Sequence, residues 1–235
     1  MANPELDLRP VAKLDEDARG DFVVRVYQHL MAAIVAFVGV EALFFATGIA
    51  EAIYDFLSPG GYRWLLILGA FMVGQTMAAT AAADLLNPQK QYGALLGAVV
   101  LEALIFAPML YYFFNVEGGG TTVAAAALLT AVGFAGLTVI GFVTRKDLSF
   151  LRPMLMYAGV VAIVLIVGAV LFGFELGIWF SVAMIAFAGV SILYQTQTII
   201  RQYPSQAHVA AALALFMSVM TLFWYILRLL GQLRD

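Results

Sequence analysis

The sequence predicts an all-α polytopic membrane protein, with seven transmembrane helices gathered into one bundle. Hydrophobic residues fill 63% of the 235 positions and charged residues only 11%, against roughly a quarter charged in a soluble domain. Mean hydropathy is +0.95, so there is too little charge to cover a soluble surface. The apolar residues are also collected into runs of about 20, each long enough to cross a bilayer as a helix. Backbone groups in lipid must be satisfied within the segment, which leaves helices as the spanning structure.

The chain divides into a polar head, residues 1–23, and a transmembrane domain, residues 24–232. The head, mixed in charge, lacks the basic start and short apolar core of a cleaved signal. It is expected to be a flexible or interfacial cytoplasmic segment. The seven runs are Tyr27–Ile49, Tyr62–Ala83, Tyr92–Phe114, Thr121–Val143, Leu151–Phe172, Leu176–Ile200 and His208–Leu230. Turn residues separate them: "LSPGG" around Pro59, "LLNPQKQ" (85–91), "NVEGGGTT" (115–122), the charged "TRKDLSFLRP" (144–153) and "FGFEL" (172–176). No internal repeat or second domain is evident.

Lys and Arg in the loops set orientation. With the N-terminus inside, only Arg63, Arg228 and Arg234 lie outside. If the last run did not cross, Arg63 alone would remain there, so charge by itself favours an even number of crossings. The tryptophans argue the other way. Trp64, Trp179 and Trp224 all fall at the outer interface of a seven-span arrangement, the headgroup zone that tryptophan prefers. Seven spans with an external C-terminus is the expected topology.

Net charge is −3, without the clustered basic face that nucleic-acid binding needs. Without cysteine there is no disulfide or thiolate chemistry. No HExxH, no GxSG-type nucleophile with a histidine partner and no pair of intramembrane aspartates is present, and Lys13, Lys90 and Lys146 all fall outside the spans. His29 and His208 stand at helix starts, where an interfacial role is expected. The chain is therefore expected to have no catalytic, cofactor or metal site.

Four features remain. Gly93 and Gly97 form a GxxxG pair, and Gly133, Gly136 and Gly141 stud the fourth span; these are expected to let helices of the same chain approach closely, rather than to form a dimer seam. Glu41 and Glu102 lie inside apolar runs, where a charge costs roughly 2.5–3.5 kcal/mol. Each must face the bundle interior, stay protonated or find a partner. Ser218, Thr221, Tyr225 and Arg228 recur at helical spacing on one face of the last span. That face either lines a polar cavity, or its hydroxyls bond their own backbone while Tyr225 and Arg228 reach the outer interface. Last, the sixth run ends in four uncharged polar residues, Gln195, Thr196, Gln197 and Thr198.

Three stretches carry a resemblance: "GFVTRKDLSFL" (141–151), "AALALFMSVMTLFWYILRLLG" (211–231) and "LNPQKQYGALLGAVVLEALIFAPML" leading into Glu102. In order and spacing they resemble the Bax inhibitor-1, or transmembrane Bax-inhibitor-motif, family from about residue 24 to residue 232. The resemblance implies a bundle whose last helix is surrounded by the other six. It also implies a calcium-permeable, pH-sensitive leak, or a modulator of cell death, stress response and membrane protein quality control. The family's pH sensor is an aspartate pair in the last two helices; by alignment its positions fall at Gln195 and Ser218, which cannot titrate. A neutral Gln195–Ser218 contact is expected in its place. The pore or sensor candidates are thus Gln195, Ser218, Glu102, Glu41, Thr221 and Arg228. The expected partners are the lipid bilayer, calcium or other cations, and other membrane proteins. A multi-pass protein of a prokaryotic plasma membrane is the expected setting.

Overall fold

The computed structural model describes residues 9–234 and contains seven helices long and apolar enough to cross a membrane. The spans are α1 (Glu16–Thr47), α3 (Tyr62–Ala82), α4 (Pro88–Asn115), α5 (Gly119–Val143), α6 (Leu151–Phe172), α7 (Ile178–Gln202) and α8 (His208–Gln232), with a short α2 (Ile49–Leu57) after the first. The two ends of the bundle differ. One carries Lys90, Arg145, Lys146 and Arg201; the other carries Trp64, Trp179 and the chain's last residues. They are called the basic end and the tryptophan end below.

The first helix begins well before its apolar run. Asp15 caps it, its carboxylate accepting from the Ala18 N–H at 2.8 Å, and Glu16 and Asp17 sit in the first turn where the helix dipole favours acids. Residues 16–23 of the expected polar head are therefore helical. The stretch before them is anchored too. The Val11 N–H donates to the Tyr203 carbonyl at 2.9 Å, Pro10 pairs with Pro204, and Val11 is fully buried. Residues 1–8 lie outside the described residues.

The turn at Gly48, in the left-handed conformation at φ 76°, ends α1 and starts α2. Glycine populates that region without the Cβ clash that other residues meet. Helix α2 lies against α4, with Tyr54 and Tyr111 rings 5.2 Å apart. Arg63 closes the following turn by donating to the Phe56 carbonyl at 2.8 Å while lying over the Phe56 ring.

Helix α8 is the axle of the bundle. It buries Leu213, Phe216, Leu227 and most of its length, packing on α7, α1, α5, α4 and α3. Helix α4 is the second buried element, and Phe106 joins the two by stacking on Phe223 and meeting Trp224 edge-on. Trp224 is consequently turned into the bundle and half-buried, whereas Trp179 is 84% exposed. Helix α6 stands apart from the axle. It packs chiefly on α7 and α3 and buries only Leu151 and Ala162.

The last run forms one helix, long and apolar enough to cross a membrane. It starts at the basic end beside His29 and finishes at the tryptophan end, where Arg234 donates to the Glu117 carbonyl and the Thr122 hydroxyl. The seven long apolar helices match the seven runs and not the even number that loop charge favours.

Glycine divides unexpectedly. A Cβ on Gly141 would stand 2.9 Å from Cβ and Cγ2 of Thr196, so α5 and α7 touch backbone to side chain there. Gly93 and Gly97 meet nothing within 4 Å and look outward beside exposed Leu96 and Val100, so the expected packing within the chain is absent at this pair. Gly141→Ala is expected to lower thermal stability through overpacking of about 1–3 kcal/mol. Gly97→Ala should be neutral or stabilising, since alanine is favoured over glycine in a helix by about 1 kcal/mol. Melting of the two purified variants separates these outcomes, and equal loss in both would contradict the packing.

Candidate functional site

One face of α8 lines two cavities in succession. The first, about 610 Å³, lies toward the basic end and is lined by Ala210, Leu213, Ala214, Met217, Ser218 and Thr221 of α8, facing Ala79 of α3 and Gln195 of α7. The second, about 780 Å³, lies toward the tryptophan end and is lined by Thr221, Trp224, Tyr225, Arg228 and Gln232 of α8, with Glu102 of α4 and the inner faces of α3 and α6. Thr221 belongs to both walls. Its hydroxyl donates to the Met217 carbonyl at 2.8 Å, so it is satisfied within its own helix. The spacing that puts Ser218, Thr221, Tyr225 and Arg228 on one stripe thus faces them into open volume.

Arg228 does not pair with an acid. It donates to the Leu176 carbonyl at 2.6 Å and lies 5.7 Å from the centre of the Phe180 ring. Gln232 donates to the same carbonyl and accepts from Ser181, fixing the 173–177 turn against the end of α8.

Three of the four polar residues closing α7 do separate jobs. Gln195 faces the first cavity with Ser218, but the two do not hydrogen-bond, and the buried Gln195 Oε1 has no partner. The expected Gln195–Ser218 contact is therefore a shared wall and not a bond. Thr196 is the side chain that Gly141 makes room for. Gln197 is a clamp: Oε1 accepts from the Leu148 N–H at 2.7 Å, while Nε2 donates to the carbonyls of Thr144 at 3.2 Å and Lys146 at 2.6 Å. Arg201 adds a bond to the Arg145 carbonyl at 2.9 Å. The most charged loop of the chain is thus held to the end of α7 by side chains. Within it, Asp147 accepts from the Ser149 N–H and hydroxyl, and these bonds hold its carboxyl below the usual range. The stabilisation from Asp147 is complete above the ordinary carboxylate range and is lost as pH falls through the lowered value. Lys90 likewise lowers Asp84, at 3.0 Å.

The two intramembrane acids differ sharply. Glu102, 5% exposed, accepts from Nε2 of Gln75 at 3.0 Å, a partner on α3 that the sequence did not single out. Glu41, 6% exposed, has no hydrogen-bond partner on either oxygen and lines neither cavity.

The structure also joins His29 and His208, whose rings lie 4.9 Å apart at the basic end. His29 Nδ1 meets the Arg25 carbonyl at 2.7 Å and Nε2 meets the Tyr92 hydroxyl at 3.1 Å, while His208 Nδ1 is buried without a partner. Nearby Tyr203 lines the first cavity, and burial raises its phenol so that it stays neutral. Apart in sequence, these histidines offered no shared pattern to read.

A central terminal helix bordered by two cavities, inside a seven-span helical bundle, defines a polytopic membrane protein built around its last segment. The sequence matches the family described as inhibitor of apoptosis-promoting Bax1 over residues 19–235. The chain belongs to that family. Comparison with curated protein sequences finds no match.

Proposed function

We infer that the protein is a cation leak of the Bax inhibitor family, calcium being the first candidate, with its path along the cavity-lining face of α8. The observation that supports this is the continuity of that face. From Ala210 to Gln232 it lines one cavity and then the other, and at 1.5 Å per residue this covers about 33 Å, close to the thickness of a bilayer core. Thr221, common to both walls, is the constriction. In this reading the basic end faces the cytoplasm and the C-terminus lies outside, in a cell membrane; a reporter fused at the C-terminus should be active only outside, and a cytoplasmic signal would reverse the assignment.

Liposomes loaded with a calcium dye test the path. Thr221→Trp is expected to bring flux to the protein-free background and Thr221→Ala to raise it. Folded variants with unchanged flux would remove the path from α8.

In this reading the aspartate-based gate is absent, because neither Gln195 nor Ser218 ionises near neutrality. The leak is then expected to be nearly flat between about pH 6 and pH 8, the window in which a coupled carboxyl pair can titrate. Adding Gln195→Asp and Ser218→Asp should create a steep response, since two close carboxyls titrate as a coupled pair. A steep response in the unmodified protein would overturn this account.

A non-conducting protein that binds other membrane proteins, in quality control or stress response, is the second reading. It draws on the outward-facing Gly93 and Gly97, a surface on which another helix could approach closely. Lack of flux in every variant, with co-purification lost in Gly97→Leu, would favour it.

A further inference from the structure

We propose that the cavity at the tryptophan end is a binding site for a single-chain anionic amphiphile, a long-chain fatty-acid carboxylate taken from the bilayer, with its head on Arg228. Binding stands apart from conduction and does not require it. At about 780 Å³ the cavity lies within the range of roughly 300–1,000 Å³ typical of small-molecule sites. Its walls are mostly apolar, with Leu68, Phe71, Ile163 and Ile166 among them. The wall between the cavity and lipid is α6, which is exposed along most of its length and packs chiefly on α7 and α3, so a chain from the bilayer has only this thin wall to pass.

Charge selects the head group. Arg228 is half-buried and borders the cavity, yet it has no carboxylate within ion-pair distance among the described residues. Guanidinium carries five N–H donors. One is used on the Leu176 carbonyl, and the ring of Phe180 holds the plane in place. The remaining donors form the planar fork that recognises a carboxylate in two-point fashion. The cavity's own acids do not fill this role. Glu102 is engaged with Gln75, and Glu175 sits in the turn leading to Leu176 without an ion pair. A cation in such surroundings is costly unless paired, and a carboxylate whose chain lies along α6 would supply the partner.

Trp64 and Trp224 both line this cavity, and Trp179 is the only other tryptophan in the sequence. Tryptophan quenching by brominated chains therefore reads occupancy directly in the Trp179→Phe protein, full length and in nanodiscs. The probes are dibrominated stearic acid, its methyl ester and a dibrominated diacyl phosphatidylcholine, at about pH 8, where a free carboxyl is ionised. The acid is expected to quench at a half-saturating mole fraction about tenfold or more below that of the ester, as a charge-assisted hydrogen bond requires. The phosphatidylcholine should behave like the ester. Arg228→Gln should erase the advantage of the acid, and Ala162→Phe, which fills the cavity while keeping Arg228, should abolish saturable quenching by acid and ester alike. Equal quenching by acid and ester overturns the proposal without any charge variant, so it stays testable if Arg228→Gln fails to fold. A preference for the acid that survives Arg228→Gln in folded protein overturns the assignment of Arg228.

Discussion

Gln197→Leu is expected to destabilise the protein by about 2–4 kcal/mol, the sum of three hydrogen bonds with polar groups left partly unsatisfied. The amide accepts one bond and donates two, all to the backbone of residues 144–148. Leucine of similar size fills the space and bonds none of them. Gln197→Glu should also destabilise, because a carboxylate oxygen would replace the amide that faces the Thr144 and Lys146 carbonyls. Gln195→Leu, two residues earlier on the same helix, removes an amide oxygen that has no partner and should cost little. Thermal melting with limited proteolysis of the 144–150 loop reads both effects. Comparable losses at 195 and 197 would mean that the loop is not held in this way.

The second large effect separates the two buried acids. Glu102→Leu removes the acceptor of the Gln75 amide, and a buried donor left unsatisfied typically costs about 1–3 kcal/mol. Glu102→Gln should be tolerated, since its carbonyl can still accept from Gln75. Glu41→Leu is expected to move stability the opposite way. Both carboxyl oxygens of Glu41 are buried and unpartnered, so leucine removes about 1–3 kcal/mol of unmet desolvation. A double-mutant cycle on Gln75 and Glu102 should show coupling, and none is expected between Gln75 and Glu41. If Glu41→Leu destabilises as much as Glu102→Leu, Glu41 has a partner that this geometry lacks.

The spans were legible because lipid imposes a length and a composition that few other folds share, and the seven runs meet the seven long helices within a few residues at most ends. The exceptions have physical causes. Helix α1 starts at Glu16 through a capping aspartate and first-turn acids, features that composition reads as a polar head. Helix α2 is short and carries Glu51 and Asp55, so no apolar window marks it. The site was half legible. Helical spacing placed Ser218, Thr221, Tyr225 and Arg228 on one face, because that geometry is local. Gln75 opposite Glu102 and His29 against His208 depend on how helices are juxtaposed, which periodicity does not encode. The polar run at the end of α7 looked like one site because its members are adjacent, yet consecutive helical residues point about 100° apart. One thus faces a cavity, one a glycine and one a loop.

Because the axle follows in sequence all the helices it packs on, it bears on how the protein is made. Chains emerge from the ribosome N-terminal first, so α1, α3, α4, α5 and α7 are in the membrane before the segment they surround has been synthesised. Until then Phe106 lacks Phe223 and Trp224, and the ring of helices encloses a slot lined for a missing occupant. The Val11–Tyr203 bond likewise waits for the end of α7. Bundle closure therefore waits for a segment made after every helix it packs on. A chain without α8 would leave these helices in the bilayer without the residues on which their inner faces pack.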